Sequence, residues 1–260
     1  MRLARRLAVL TLVLPLAGCT AARWNASRLP AGLGAAAMPP PRVDLGHRTP
    51  VDAERVQLTR DYLAIHNPRV AAALPPGDDA AAIAFVPRLV VVHFTAQPTL
   101  AETLATFAPV TIDAGRELVA SQGGLNVGIQ YVVDRDGTIY GLYPETAIAR
   151  HVIGLNHVAI GIENVGAADL GGPADQAPLT PAQLAANVAL ITDLARRHPT
   201  IEFVIGHHEY RDVERPGHPA AALFHEEVAG YRTEKVDPGP RFMRRLRRAL
   251  RAAADGALSR

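Results

Sequence analysis

The sequence predicts a single α/β domain with a mixed central β-sheet flanked by helices, extending from about residue 85 to residue 245. Three observations predict this class. Short apolar runs are typical of strands buried on both faces of a sheet. A hairpin pattern requires part of the sheet to be antiparallel. A capped amphipathic helix separates two of the apolar runs. The runs are residues 88–93, 159–163 and 201–205, the hairpin joins 127–133 to 138–143, and the helix follows Thr180.

The first 19 residues have the pattern of a secretory signal peptide. Three arginines within the first six residues precede an apolar run, Leu7 to Ala17, which is too short to span a bilayer as a helix. The next residues, Gly18 and Cys19, complete a segment that resembles the bacterial lipobox, in which cleavage leaves the cysteine as an acylated N-terminus. We therefore expect lipidation of Cys19 and attachment to a membrane through this lipid anchor.

Cys19 is also the only cysteine, which excludes an internal disulfide and a second thiol for catalysis or metal binding. The body of the protein is then expected outside the cytoplasm. Because Thr20 rather than Asp follows the cysteine, the resemblance to sorted lipoproteins implies, in a bacterium with two membranes, the outer membrane facing the periplasm.

Residues 20–84 are interpreted as a linker and an N-terminal extension. The stretch from Thr20 to Val51 is rich in alanine, glycine and proline and has no sustained periodicity. Residues 52–66 predict a short helix, and a Pro-Pro-Gly-Asp-Asp loop at 75–79 closes the extension.

Within the predicted domain, strands and helices alternate. The first buried strand ends at His93, after which Thr99 and Glu102 have the spacing of a helix cap. The hairpin turns around residues 134–137, and the next buried strand ends at Glu163. The long helix has Thr180 as its N-cap with proline at the first position and Gln183 completing a capping box, and it stops before Pro199. The last strand leads into Gly206-His207-His208.

Charge is distributed unevenly along the chain. The whole sequence has 27 basic and 25 acidic residues, but the first 19 and last 20 residues contain ten of the arginines and only one acid. The body between them is therefore about seven charges negative, which argues against binding to nucleic acid. A basic C-terminal helix or tail is assigned to residues 246–260, and its helical pattern begins at Arg241, where arginines oppose an apolar face containing Phe242 and Leu246. We expect this helix to dock on the domain; contact with anionic lipid or an envelope polymer is the alternative.

The candidate chemistry follows partly from elimination. Only three serines are present and none lies in a Gly-x-Ser-x-Gly turn, so covalent serine catalysis is disfavoured, as is cysteine catalysis. His93, Glu163 and His207 lie at or just beyond strand ends, where sites assemble in open α/β sheets. Lys235, the only lysine, lies two residues before Asp237. A compact ammonium beside a carboxylate indicates a specific requirement in a chain that otherwise uses arginine.

Metal chemistry is the leading option. His93, His207 and Asp237 offer two imidazoles and one carboxylate, which is the open three-ligand arrangement of catalytic zinc. The adjacent His208-Glu209 pair does not complete a zincin helix, because Asp212 occupies the place of the second histidine.

These residues lie in segments that together resemble one family. The chain is similar to the zinc-dependent N-acetylmuramoyl-L-alanine amidases of the type 2 amidase family, which share a fold with phage T7 lysozyme and the peptidoglycan recognition proteins. The resemblance covers about 150 residues in the family's order. The matching segments are Leu-Val-Val-Val-His at 89–93, the strand-turn-strand sequence at 125–140, Ala-Arg-His-Val-Ile-Gly-Leu-Asn at 149–156, Ile-Gly-Ile-Glu-Asn-Val-Gly at 160–166, Ile-Gly-His at 205–207 and Lys-Val-Asp-Pro-Gly at 235–239.

The resemblance implies a fold, a reaction and roles for individual residues. It makes His93, His207 and Asp237 the ligands of one Zn²⁺ ion, Glu163 the general base and Lys235 a stabiliser of the transition state. The implied substrate is peptidoglycan or a muropeptide, cleaved by zinc-activated water at the amide bond between N-acetylmuramic acid and the L-alanine of the stem peptide. The implied enzyme is a monomer.

Several alternatives stay open at this level. His208 is a rival to His207 as ligand, although His207 directly follows the glycine that ends its strand. His151 and Asn156 are expected to line the substrate groove, or else to fix a loop by hydrogen bonds. The insertion-like stretch at 209–230 could form a lid or groove wall. Rival functions are a non-catalytic peptidoglycan-binding module on the same fold and a zinc peptidase.

Overall fold

The computed structural model of the protein describes Trp24 and residues 27–113, 115–166 and 179–258. The predicted signal peptide and Cys19 lie outside the described residues. Within that part of the chain, no helix has both the length and the apolar composition needed to cross a bilayer.

The described residues form one six-stranded mixed sheet, which confirms the predicted class. The strand order is β1-β4-β3-β5-β2-β6, and the pairs are parallel except for the β3–β4 hairpin. The strands are β1 (Val43–Asp44), β2 (Leu89–Phe94), β3 (Tyr131–Val133), β4 (Ile139–Gly141), β5 (Ala159–Asn164) and β6 (Phe203–Gly206). The helices are α1 (Ala53–His66), α2 (Pro68–Ala73), α3 (Leu100–Phe107), α4 (Glu117–Ala120), α5 (Pro181–Arg197), α6 (Tyr210–Val213) and α7 (Pro240–Leu258).

The three central strands are buried on both faces, as their continuous apolar sequences predict. All six residues of β2 are buried, and the only partly exposed position of β5 is Glu163. On one side, α5 and α7 cover the sheet and contribute Leu190, Ile191 and Leu246 to the largest apolar cluster. The capping box predicted for α5 is present, because Thr180 accepts from the Gln183 backbone and Gln183 accepts from the Thr180 backbone. This packing fixes the central strands, and therefore the ends that contribute to the site.

The N-terminal extension packs on the body more extensively than the sequence indicated. The predicted helix is present as α1, capped by Asp52. Its Tyr62 and Leu63 are buried in an apolar cluster, and its Arg55 is buried with a hydrogen bond of 2.7 Å from Nη1 to the Tyr143 hydroxyl. Part of the stretch interpreted as linker is also ordered: β1 pairs in parallel with β4. A two-residue strand has too few positions to show a period, so only its pairing reveals it.

The C-terminal helix is docked on the domain, as expected, and begins at Pro240, earlier than the boundary inferred for the tail. The side chains of Phe242, Leu246 and Leu250 on one face of this helix are buried, whereas those of Arg244 and Arg248 are exposed. The helix therefore starts only three residues after Asp237.

The 209–230 insertion packs beside α1. His66 of α1 places Nδ1 2.8 Å from Oε1 of Glu226, and its Nε2 lies 2.8 Å from the Gln122 carbonyl oxygen. The Glu226 and His66 side chains are nearly inaccessible to solvent. These contacts join the insertion to the N-terminal extension.

Candidate active site

The site lies at the carboxyl end of the three central parallel strands. His93 is the penultimate residue of β2, Glu163 is the penultimate residue of β5, and His207 follows the last residue of β6. Because parallel strands end at the same edge of a sheet, strand pairing alone brings these side chains to one place.

Three metal-binding groups meet at this edge. One ligand atom from each of His93, His207 and Asp237 lies within 4.8 Å of the others. Oδ2 of Asp237 is 3.3 Å from Nδ1 of His93 and 3.0 Å from Nδ1 of His207. Burial, with help from His207, lowers the pKa of His93 to about 4, so that its imidazole is neutral at neutral pH. Two imidazole nitrogens and a carboxylate oxygen within this distance could hold a divalent ion such as zinc.

The Asp237 carboxylate is suited to this position. Burial alone would raise its pKa, but the two imidazoles and their hydrogen bonds outweigh burial and hold the pKa below its usual range. The group is therefore ionised throughout the neutral range and could ligate a cation.

His208 has a different position from His207. Its backbone N–H donates to the Asp237 carbonyl oxygen at 2.8 Å, and its Nδ1 lies 3.1 Å from the same oxygen. His208 therefore holds the backbone of the Asp237 segment, whereas the His207 ring faces the carboxylate. The geometry places His207, and not its neighbour, in the cluster that could hold a metal ion.

A buried ion pair supports the turn that presents His207. The Glu209 carboxylate accepts from the Gly206 backbone N–H at 2.8 Å and from both terminal nitrogens of Arg247, at 2.9 and 2.5 Å. Arg247 also donates to the Val204 carbonyl oxygen of β6 at 3.1 Å. Helix α7 is therefore tied to the strand end from which His207 projects.

The carboxyl group of Glu163 has a buried oxygen at the site. Its Oε2 is inaccessible to solvent and has no hydrogen-bond partner among the described residues. Burial, reinforced by the charge of Asp237, raises the pKa of Glu163 well above its ordinary value, while Lys235 and Arg116 partly oppose the increase. Other buried side-chain atoms, such as Oε2 of Glu226, also lack a partner, so it is the position of Glu163 beside the cluster, together with its raised pKa, that points to a role in chemistry.

Lys235 lies beside the candidate metal-binding residues and Glu163. It lines the cavity that also contains His93, Glu163 and Asp237. Among the described residues, no hydrogen bond or ion pair engages its ammonium group, and the same holds for the guanidinium of Arg116, which lines the same cavity. Two uncommitted cations therefore border a cavity that also contains the cluster and a buried carboxyl group.

His151 and Asn156 both line the groove but are also committed to interior contacts. Nδ1 of His151 lies 3.1 Å from Nε2 of His93, and Nε2 of His151 lies 3.3 Å from the Ala159 carbonyl oxygen. The side-chain oxygen of Asn156 accepts from the backbone N–H groups of His151 and Val152, at 2.9 and 2.8 Å. Asn156 thus fixes the loop that carries His151, which is the hydrogen-bonding alternative considered from the sequence.

The groove extends beyond the candidate metal site toward α1, and no residue of the 209–230 insertion is among its lining residues. This outer part of the groove shares Arg116, His151 and Lys235 with the inner cavity, and Tyr62 and Tyr231 form its walls. Sequence reasoning missed Tyr62 and Arg116 as lining residues. Tyr62 lies in a helix whose sequence does not separate an apolar from a polar face, and Arg116 lies in a loop without a motif.

A mixed sheet thus presents a possible metal site, a buried carboxyl group and an open groove at one edge, a set of groups that can support hydrolysis. A family model described as N-acetylmuramoyl-L-alanine amidase, Amidase_2, matches residues 84–240. The chain belongs to this family.

Individual relatives match parts of the chain. It is 33% identical over 103 residues to the endolysin of Klebsiella phage KP32. The aligned region covers 38% of this chain and 67% of that protein. It is 37% identical over 83 residues to the endolysin of Escherichia phage T7, which covers 32% of this chain and 54% of that protein. The chain thus spans about half the length of the T7 relative.

Solved structures also match in part. The crystal structure of a selenomethionine derivative of AmpD is 27% identical, covers 64% of this chain and 84% of its own, and has a TM-score of 0.42. The endolysin amidase LysCS from Clostridium intestinale is 27% identical, covers 51% and 76%, and has a TM-score of 0.37.

Proposed function

We propose that this protein is a zinc-dependent N-acetylmuramoyl-L-alanine amidase that cleaves the amide bond between N-acetylmuramic acid and the L-alanine of the stem peptide. The observation that carries the proposal is the buried, unpartnered Oε2 of Glu163 beside the cluster of His93, His207 and Asp237. Membership of the Amidase_2 family supports the choice of bond.

Zinc fits the donor set. Two imidazole nitrogens and one carboxylate oxygen leave a coordination position open, as catalytic zinc requires, and the described site offers no fourth protein ligand. When bound by His93, His207 and Asp237, zinc would polarise the scissile carbonyl and lower the pKa of a coordinated water.

Glu163 is assigned the proton transfers. Its carboxylate accepts a proton from the attacking water and returns it to the nitrogen of the departing L-alanine, so that the amine leaves in neutral form. The raised pKa of Glu163 suits this task, because a carboxyl group of ordinary pKa would release the proton to solvent rather than retain it for the leaving group.

Lys235 is assigned the developing negative charge. Amide hydrolysis passes through a tetrahedral state in which the former carbonyl oxygen carries that charge. Among the described residues, the ammonium of Lys235 has no competing partner, and it borders the same cavity as Glu163. A cation that is not already neutralised stabilises the transition state more than one held in an ion pair.

The experiment that tests the proposal is mass analysis of products from purified peptidoglycan. Zinc-loaded parent protein should release stem peptides with a free L-alanine N-terminus, and Glu163→Gln should not, although it should bind zinc equally well. Peptides cut at an internal peptide bond would instead support the rival zinc peptidase. Binding to peptidoglycan with no product from either protein would support the non-catalytic module.

We also propose that the chain is anchored by lipid at Cys19 and faces the periplasm from the outer membrane. Arg28 forms a bridge with Phe203 at the edge of the sheet, nine residues after Cys19, and this stretch can reach at most about 30 Å. Five arginines of α7 are exposed and have no ion-pair partner among the described residues. They are Arg241, Arg244, Arg245, Arg248 and Arg251.

Anionic headgroups would complement this row of arginines once the anchor holds the protein at the surface. Labelling with a clickable palmitate and fractionation of membranes test the anchor: parent protein should carry the label in the outer-membrane fraction, and Cys19→Ser should lose it. A labelled Cys19→Ser protein would contradict the assignment. Light scattering of detergent-solubilised protein tests the expected monomer.

A further inference from the structure

We propose that Arg116 is a specificity-determining residue, which binds a carboxylate of the peptide half of the substrate in the outer part of the groove. The inference rests on the proposed function, because it concerns the peptide that begins with the L-alanine of the scissile amide. It adds a preference to that function: a substrate with a free carboxylate close to the cleaved bond is favoured over the same substrate with a carboxamide.

The outer part of the groove is lined by cations and by no acid. Arg116, Arg150 and Lys235 line it, and neither aspartate nor glutamate occurs among its lining residues in the described part of the chain. The acids of the site, Glu163 and Asp237, line the inner cavity instead. Positive charge in a cleft with low-dielectric walls attracts an anionic group of a ligand. The outer part is therefore suited to the half of a muropeptide that carries negative charge.

The two halves of the proposed substrate differ in charge. The sugar on the carbonyl side of the scissile amide presents hydroxyl and acetamide groups, whereas the peptide on the nitrogen side ends in a carboxylate. When one residue follows the L-alanine, that carboxylate lies about 7 Å from the scissile nitrogen. Arg116 lines both the inner cavity and the outer part of the groove, so it lies at the junction that the peptide would cross.

Arg116 is the cation of this lining that is available to a ligand. Arg150 is buried, and its terminal nitrogens donate at 2.6 to 3.0 Å to backbone carbonyl oxygens of residues 119–125. Lys235 is assigned to the developing oxyanion. The guanidinium of Arg116 is exposed and has neither a hydrogen bond nor an ion pair among the described residues. Its planar set of N–H groups can bind both oxygens of a carboxylate.

The backbone that carries Arg116 is held in place, although its side chain is uncommitted. Its carbonyl oxygen accepts from the Val119 backbone N–H at 2.9 Å. Nη2 of Arg150 in turn donates to the Val119 carbonyl oxygen at 2.7 Å. Nε2 of His66 in α1 lies 2.8 Å from the Gln122 carbonyl oxygen of the same segment. A fixed backbone reduces the entropy lost on binding, because only the arginine side chain has still to be ordered.

The test compares two N-acetylmuramoyl dipeptides that differ in one group. In both, one residue follows L-alanine, and it ends in a carboxylate in the first and in a carboxamide in the second. The readout is the ratio of kcat/KM for the two substrates within each zinc-loaded protein, which cancels a general loss of activity. A hydrogen bond to a charged group contributes about 10- to 100-fold to binding, and solvent screening at an exposed arginine favours the lower end.

The parent should therefore prefer the carboxylate about 10-fold. Arg116→Gln should bring the ratio close to one, and Arg116→Glu should reverse the preference, because two carboxylates would then repel each other. The matched control is Arg69→Gln, which removes another exposed arginine, on α2, that is not among the residues lining the groove. Arg69→Gln should retain the parental ratio. A parental ratio in Arg116→Gln, or an equal loss in Arg69→Gln, would overturn the proposal.

Equilibrium binding separates this proposal from the proposed function. Calorimetry should show that zinc-loaded Glu163→Gln binds the carboxylate dipeptide about 10-fold more tightly than the carboxamide, and that adding Arg116→Gln makes the two affinities equal. If the parent cleaves neither dipeptide while this difference is present, the amidase proposal fails and the carboxylate site stands. Equal affinities in Glu163→Gln, or no binding of either dipeptide, would refute the carboxylate site whatever the activity.

Discussion

His93 and Glu163 are directly opposed across the parallel strands β2 and β5. The proposed metal ligand His93 and the proposed proton acceptor Glu163 are therefore separated by the spacing of neighbouring strands, about 4.8 Å between backbones. Sheet register, rather than a loop, sets this separation. A slip of one residue in either strand would turn one of the two side chains to the other face of the sheet.

Substitution of Glu163 by glutamine should abolish most turnover while leaving the metal site intact. The amide cannot accept a proton, so the expected loss in kcat is about 100- to 10,000-fold. Product release from a purified muropeptide measures kcat, and atomic absorption measures bound zinc. Near-parental turnover in the zinc-loaded variant would remove Glu163 from the mechanism.

The same substitution should stabilise the metal-free protein, and more so as pH rises. The raised pKa of Glu163 means that the folded state holds this proton more tightly than the unfolded chain. The stability from that proton is complete below the unfolded pKa and is lost as pH rises through the folded pKa. The amide introduced by Glu163→Gln does not titrate, so the variant should gain roughly 1–3 kcal/mol over the parent at the alkaline end. Urea unfolding of the two proteins from acidic to alkaline pH measures the difference in their free energies of unfolding. A difference that does not change with pH would contradict the raised pKa of Glu163.

Asp237 and Lys235 should separate in function although only one residue lies between them. Asp237→Ala removes a metal-binding oxygen and should lose zinc. Lys235→Ala should retain zinc but lose about 100- to 1,000-fold in kcat, because the charge opposite the developing oxyanion is gone. Zinc content and kcat are measured on the same samples. Loss of zinc from Lys235→Ala would instead give the lysine a structural role at the metal site.

The Glu209–Arg247 pair should contribute more to stability than an exposed ion pair. Glu209→Ala leaves the largely buried Arg247 unpaired and frees the Gly206 N–H, so we expect a loss of about 3–5 kcal/mol in the free energy of unfolding. Glu234→Ala is the control: it breaks an ion pair with Arg211 in which the glutamate side chain is 83% exposed, and should cost no more than about 1 kcal/mol. Equal losses would contradict this ranking.

Helix α1 should belong to the cooperative unit that contains the site. Leu63 is 2% exposed and Ile65 is 49% exposed on the same helix. Leu63→Ala should therefore destabilise the whole protein by about 2–5 kcal/mol, and Ile65→Ala by much less. The two variants are compared by urea unfolding followed at separate probes. A separate early transition for α1 would show that the extension folds independently.

Much of the fold could be predicted because its signals are local. The buried strands β2 and β5 have continuous apolar sequences, and Thr180 with Gln183 forms the capping box that the spacing indicates. The strand β1 could not be predicted, since its two residues gain their conformation from pairing with β4. The burial of Tyr62 and Leu63 could not be predicted either, because the sequence of this helix does not separate an apolar from a polar face.

The site likewise contains features that the sequence predicts and contacts that it does not. The grouping of His93, His207 and Asp237 was predicted from strand ends and family resemblance, and the structure places them together. The contact of His151 with His93 joins residues 58 positions apart and depends on the space above Gly161. No pattern in one sequence encodes such a contact. The roles of His208 and Glu209 depend on side-chain directions within one short turn.

Helix α7 begins three residues after Asp237 and, through Arg247, also braces the turn that presents His207. Two of the three metal-binding segments thus depend on a helix that is synthesised after every strand of the sheet. Because α7 also supplies Phe242, Leu246 and Leu250 to the largest apolar cluster, the core of the domain and the proposed metal site are completed by the same helix.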